Sequence, residues 1–209
     1  PARSRKAARR RRRRRARGFT FVEVIVSVAV MAILAMSILP SLSASFERTE
    51  MEATVAMLVT VRDAIFRPGT GSVAFYQRIG ANAGKLSELT NAIVSGNAAV
   101  SDNSCGNAFN FIQAGRWTVA GPFLNVNIDT SGLALPIGTA QNDLVRVPAG
   151  GGPGVLEMSI LSVKGDDATL LDRLVDNGDG NASGSIRWTA VPVGERTTVI
   201  YRIPINGAC

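Results

Sequence analysis

Gly18 to Leu39 reads GFTFVEVIVSVAVMAILAMSIL and carries one charge, Glu23. A run of about 20 apolar residues, at ~1.5 Å rise each, covers the ~30 Å hydrocarbon core of a bilayer as a helix. A secretory signal has a shorter apolar region, roughly 7–15 residues, with a small-x-small cut site behind it. Here the junction that invites cutting lies in front of the apolar segment, at Gly18-Phe19. Glu23 is the anomaly. A carboxylate inside a membrane helix costs roughly 2.5–3.5 kcal/mol on insertion scales, so something must offset it.

Upstream, residues 1–18 hold eleven of the 23 basic residues, including the run Arg9 to Arg15, and no acidic residue. Without them the formal charge falls from +7 to −4, because 12 basic residues then face 16 acidic ones. The sequence pI of about 10.4 therefore belongs to this leader. An arginine run can neutralise nucleic-acid phosphates, but no aromatic residue interleaves this one and an apolar segment follows directly. A nucleic-acid partner is not expected. Lys and Arg beside a first apolar helix hold that flank in the cytoplasm, and anionic membrane lipids help dock it. Because the chain starts at Pro1 and not at a methionine, the leader is open to extension upstream.

Downstream, Pro40 is expected to kink the helix without ending it, since a mid-helix proline deletes one backbone bond. The next stretch, SLSASFERTEMEATVAMLVTVRDAIF, is rich in helix formers and stops at Pro68-Gly69. Met51, Val55, Leu58, Arg62 and Ile65 recur at helical spacing, while Glu47, Arg48, Glu50 and Glu52 mark the level at which the helix leaves the bilayer. Phe19 to Arg67 would span roughly 70 Å. The first half is apolar nearly all round; the second is amphipathic, as for a helix with one side against a head domain.

Gly18-Phe19-Thr20-Phe21-Val22-Glu23-Val24, with the basic leader before it and Pro40 after, resembles the class III signal of type IV pilins and type II secretion pseudopilins. In that family a prepilin peptidase cuts after the glycine on the cytoplasmic side and N-methylates the new first residue. The resemblance implies cleavage between Gly18 and Phe19, with methylated Phe19 as the N-terminus. Glu23 becomes the fifth mature residue, the one thought to meet a neighbouring subunit's N-terminus during assembly. Pro40 becomes the twenty-second, where many pilins carry a helix-breaking proline. The likeness covers about 30 of the 209 residues. Val22-Glu23-Val24 is a style associated with minor members.

From Gly69 the composition turns to Gly, Asn, Ser and Ala with short apolar runs. Ala83 to Val94 reads as a short surface helix. Strands are expected at Phe109–Ile112, Trp117–Ala120, Phe123–Ile128, Leu144–Val147 and Val155–Val163, with Thr169–Leu174 as a further one. Ser185–Val193 and Arg196–Ile205 flank Gly194-Glu195 as a hairpin with a tight turn. Alternation puts Ile186, Trp188, Ala190 and Pro192 on one face, and Pro192 and Pro204 fit edge or terminal positions. An antiparallel sheet on the second half of the helix is the α+β solution, and a head of ~140 residues is large enough for its own core.

The chain has two cysteines, Cys105 and Cys209, and no histidine. Lack of His removes the commonest metal ligand and general base. In an exported head the cysteines read as a disulfide, closing a loop worth ~4–5 kcal/mol in the chain-entropy model; in a reducing compartment they are two separate thiols. Many pilins close a C-terminal loop this way, which favours the pair. Asp176-Asn177-Gly178-Asp179-Gly180-Asn181, with Asp166, Asp167 and Asp172 upstream, reads as a solvated hairpin turn. Asp176 and Asp179 are the calcium candidates in it, since oxygen-rich loops suit Ca²⁺, but the EF-hand pattern fails because Val175 falls at its first ligand position. The glycine-rich stretch 149–154 has no phosphate-loop lysine and reads as a flexible loop. No cofactor, bound metal or catalysis is expected.

The expected organisation is a removed leader over 1–18, a transmembrane or filament-core helix over 19–39, its amphipathic continuation over 40–68, and an extracytoplasmic β-rich head over 69–209. The expected function is a pilin-like structural subunit, assembled through its N-terminal helix into a type IV pilus or type II secretion pseudopilus. Expected partners are the prepilin peptidase, other pilin subunits, the inner-membrane assembly platform and membrane lipids. The rivals are a single-pass envelope domain that never polymerises, and a filament-tip subunit whose head binds a ligand or DNA. In each case the N-terminus is cytoplasmic and the head lies outside the bacterial inner membrane.

Overall fold

The computed structural model describes residues 19–66, 74–148, 154–192 and 194–205, and for 37–44 the backbone alone. The leader 1–18, the stop at Pro68-Gly69, the glycine loop 149–153 and Cys209 lie outside the described residues, as does the Pro40 side chain expected to kink the helix. The chain divides into two units, one up to Ser45 and one from Phe46 onward.

Helix α1, Phe21–Ile65, contributes to both. In the second unit its inner stripe is Met51, Thr54, Leu58, Val61 and Ile65, alternating steps of three and four as a packed helix requires. Val55 and Arg62, expected on that stripe, flank it half-buried. Thr54 is tolerated inside because its hydroxyl donates to the Glu50 carbonyl at 2.9 Å. The apolar members join one core with the sheet and with Ala168 and Leu171.

The sheet has five antiparallel strands in the order β1-β2-β3-β5-β4: β1 (Leu133–Leu135), β2 (Gly138–Val147), β3 (Gly154–Lys164), β4 (Ile186–Trp188) and β5 (Arg196–Ile205). Period-two alternation buries Thr197, Val199, Tyr201, Ile203 and Ile205 of β5 and Leu156, Met158 and Ile160 of β3. Two bulges re-aim it. Between Ala140↔Ile160 and Leu144↔Met158, β2 advances four residues while β3 advances two. The surplus is used: Asn142 Oδ1 accepts the Ser87 N–H and the Leu144 N–H donates to the Gly84 carbonyl, both at 2.8 Å. In β3, Ser162 takes a left-handed φ of 62°, and its carbonyl accepts from the Arg196 guanidinium.

Several strand expectations are overturned. Phe109–Ile112 and Trp117–Ala120 are not strands; α3 runs Phe111–Ala120. Its start is a reciprocal capping box, with Asn110 Oδ1 accepting the Gln113 N–H and Gln113 Oε1 accepting the Asn110 N–H, both at 2.9 Å. Thr169–Leu174 lies within α4, Gly165–Asp176, which has Asp166 and Asp167 in its first turn, Arg173 in its last and Asn177 as a left-handed C-cap. Phe123–Ile128 forms no strand. The surface helix at 83–94 shrinks to one 3₁₀ turn, Leu86–Leu89, whose leucines are fully buried. A short helix, α2 (Phe75–Ile79), was not anticipated.

The final hairpin is correct in pairing and wrong in turn. β4 and β5 pair from Ile186↔Tyr201 to Trp188↔Val199, so the connection is much wider than Gly194-Glu195, and Ala190 and Pro192 are exposed outside the strands. Pro204 is exposed on β5 beyond the last residue paired with β4. A second part of the core is aromatic: Phe75 meets Phe109 and Phe123 edge-on at 6.1 and 5.2 Å, and Trp117 meets Phe123 at 6.3 Å. Among the described residues no helix is long and apolar enough to cross a membrane; the expected span 19–39 runs into 37–44, where side chains are outside the description.

Leu58→Ala should lower unfolding stability by about 2–5 kcal/mol, against under ~1 kcal/mol for its more exposed neighbour Val59→Ala. Chemical denaturation of the two variants in detergent checks this.

Candidate functional site

At the N-terminal site, α1 begins at Phe21, two residues after the expected cut. Thr20 is its cap: the Thr20 hydroxyl oxygen accepts the Glu23 N–H at 3.2 Å. Glu23 therefore stands in the first turn, where unpaired N–H groups and the helix dipole favour an anion. Among the described residues 19–36 there is no basic side chain to pair with it. Phe19, Phe21, Val22, Ile25, Met31 and Met36 are all at least half exposed, and the intervening large apolar residues are similar. Ser27 Oγ donates to the Glu23 carbonyl at 2.7 Å, so its hydroxyl is satisfied along the helix. A continuous apolar surface of this kind needs lipid or other protein against it.

In the head, Cys105 lies half-buried in the loop before α3, and its expected partner Cys209 lies outside the described residues. The 176–181 stretch is not a hairpin turn but the connection from α4 to β4. Asp176 Oδ2 accepts the Ser185 and Ile186 N–H groups at 2.6 Å each, and Asp172 Oδ2 accepts the Gly180 N–H at 3.2 Å. Asp172, Asp176 and Asp179 converge, whereas Asp166 and Asp167 stand at the other end of α4. Local desolvation and the charges of Asp176 and Asp172 raise the Asp179 carboxyl above its ordinary range, with Arg187 opposing. Burial likewise raises Asp167, and Glu47 and Glu50 of α1 add to it against Lys164.

Sequence reasoning missed Glu88. It is 2 % exposed and gathers three backbone N–H groups: Gly84 and Lys85 on Oε2 at 3.0 and 3.2 Å, and Asp102 on Oε1 at 2.9 Å. Its own carbonyl accepts the Trp117 indole N–H at 2.7 Å. One residue thus ties the 3₁₀ turn, the 101–110 loop and α3 together. Gly84 is required beside it, since a Cβ there would lie 2.5 Å from the Asp102 carbonyl oxygen. No signal in the sequence marks it: between Leu86 and Leu89 it sits in a mixed segment where a glutamate reads as solvated.

Residues 13–39 match the family model of the prokaryotic N-terminal methylation motif, the prepilin-type signal of type IV pilins and pseudopilins. No curated protein and no solved structure matches the chain. The chain carries that signal, followed by an α+β head, and the signal implies membrane insertion.

Burial pushes the Glu88 carboxyl up from its ordinary 4.5 to about 7, against the lowering effect of the Lys85, Asp102 and Gly84 N–H groups. A carboxyl that holds its proton longer folded than unfolded stabilises the fold below the unfolded value and loses that contribution as pH rises through the folded one. Head stability should therefore fall by on the order of 3 kcal/mol between about pH 4.5 and 7.5. Glu88→Gln should flatten this slope, as read by denaturant midpoints at each pH.

Proposed function

We propose that the chain is a pilin-like structural subunit. It is stored in the bacterial inner membrane with its N-terminus cytoplasmic and its head outside, cut after Gly18 by a prepilin peptidase, and methylated at Phe19. It is then assembled through α1, on an inner-membrane platform, into a type IV pilus or a type II secretion pseudopilus. The observation that carries this is the coincidence of the methylation motif at 13–39 with an exposed apolar helix start whose one charge is Glu23. The head's role in this reading is structural and not catalytic.

Glu23 supplies the mechanism. Cleavage creates an ammonium at Phe19 where the uncut chain has a peptide bond. An ionised carboxylate in apolar surroundings gains most from such a partner, because isolated buried charge is strongly disfavoured. The cation can come from the same chain or from a subunit docking beside it. A pair formed between subunits rewards correct axial register and penalises a mismatched one. Pro40 lets the helix bend below the anchored segment. In the head, Cys105 and Cys209 form a disulfide that pins the C-terminus to the loop before α3.

Co-expression with a prepilin peptidase should shorten the chain through Gly18 and leave methylated Phe19, as read by mass spectrometry; an intact N-terminus beside active peptidase refutes the processing step. Glu23→Gln should be cut and inserted normally yet enter sheared filaments at least about thirtyfold less than wild type, given that a lost partner in a desolvated pair costs ~2–5 kcal/mol. Wild-type incorporation would show that the charge does not drive assembly. Non-reducing peptide mapping should recover one Cys105–Cys209 cross-link, and two alkylatable thiols in exported material would exclude it.

A further inference from the structure

The turn after α4 is built more like a ligand cradle than a connection needs to be. Asp172 and Asp176 are one turn apart on the same side of α4. The left-handed cap at Asn177 then reverses the chain and brings back Asp179. The three residues each place a carboxylate oxygen within 4.8 Å of the others, the one such group among the described residues. Acidic turns are common, so this alone decides nothing. Asp172 is the second observation. It is 3 % exposed, its Oδ1 is buried and meets no N–H donor, and its side chain stands against the Asp179 carboxyl. A buried carboxylate oxygen without a donor is a costly arrangement that a cation would relieve.

We propose that Asp172, Asp176 and Asp179 bind one Ca²⁺ ion, which fastens the 177–184 turn to the end of α4 and the start of β4. Ligand chemistry supports calcium: three carboxylates on an irregular turn suit the flexible oxygen shell that Ca²⁺ accepts, whereas Mg²⁺ demands near-octahedral order. Charge supports a divalent ion: three carboxylates against the one guanidinium that faces Asp179, that of Arg187, leave two formal negative charges. The turn is also shaped to close over the carboxylates. Gly184 has φ 69°, and a Cβ there would lie 2.6 Å from both Asp176 Oδ2 and Asp179 Oδ2. The Ser185 and Ile186 N–H bonds fix Asp176 in place without any ion, so the metal adds Asp172 and Asp179 to a carboxylate already oriented.

The test uses the full chain in detergent, stripped with a chelator and titrated calorimetrically with CaCl₂ and with MgCl₂ to about 10 mM, above the range of weak extracellular calcium sites. The expected result is one Ca²⁺ per chain, bound about tenfold or more tighter than Mg²⁺. Asp179→Asn removes charge from an exposed residue and should weaken Ca²⁺ about tenfold while leaving the metal-free melting temperature unchanged or higher. Trp188 shares a cavity with Asp172, so Tb³⁺ should show tryptophan-sensitised luminescence that Ca²⁺ displaces and Trp188→Phe removes. Absence of saturable Ca²⁺ binding, equal affinity in Asp179→Asn, or Mg²⁺ bound as tightly as Ca²⁺ would each overturn the proposal. A proton shared between Asp172 and Asp179 in place of a metal would appear as the first of these.

Discussion

Everything beyond Phe46 depends on one stripe of α1 being covered. Met51, Leu58, Val61 and Ile65 are essentially inaccessible, and their partners come from the sheet and α4, distant in sequence. A four-turn apolar stripe gives α1 little stability of its own, since most helical stability in proteins comes from packing an amphipathic face. The helix and the sheet therefore stabilise each other. Over residues 19–36 the same element obeys the opposite rule: its large apolar side chains are outside. One continuous helical run thus meets two environments, and the change coincides with the charged stretch Glu47–Glu52.

The fold class was legible because it rests on strong periodic signals. The helix, its amphipathic second half, the long strands β3 and β5 and the β4–β5 pairing all follow from apolar spacing. The misses share a cause. At Phe109–Ala120 and Thr169–Leu174 short apolar runs were weighed above terminal chemistry, although Asn110-x-x-Gln113 is a capping box and Asp166-Asp167 with Asn177-Gly178 marks the two ends of a helix. Short apolar runs fit either element, and the caps arbitrate. The wide β4–β5 connection was hidden for a different reason. Gly194 does adopt a positive φ, but the pairing stops short of it at Trp188.

The sites divide in the same way. Glu23 stood out as the one charge in an apolar run, and it lies in the first turn of α1. Glu88 was not, since a glutamate in a mixed segment looks solvated until tertiary structure closes over it. The 141–143 bulge explains how it closes. Surplus residues in β2 supply the Asn142 acceptor and the Leu144 donor that seat the 84–87 segment, and Glu88 then satisfies the N–H groups that this docking would strand. Asp172 was noted only as a neighbour of the candidate turn, because the convergence of the three aspartates depends on α4 being a helix.

The margins of the sheet have a consequence for crowding. Both outer strands, β1 and β4, are three residues long, and β5 runs on past β4. There the Arg202 N–H already donates to the Ser185 carbonyl at 2.7 Å, and two residues further on the same side of the strand stands Pro204, which has no N–H to offer. Exposed strand margins are where unrelated copies stick together through backbone ladders. Heads of this chain held at high local concentration would find little ladder to extend at either margin. Proximity without coagulation is a property of the backbone here, and it costs the surface no extra charge.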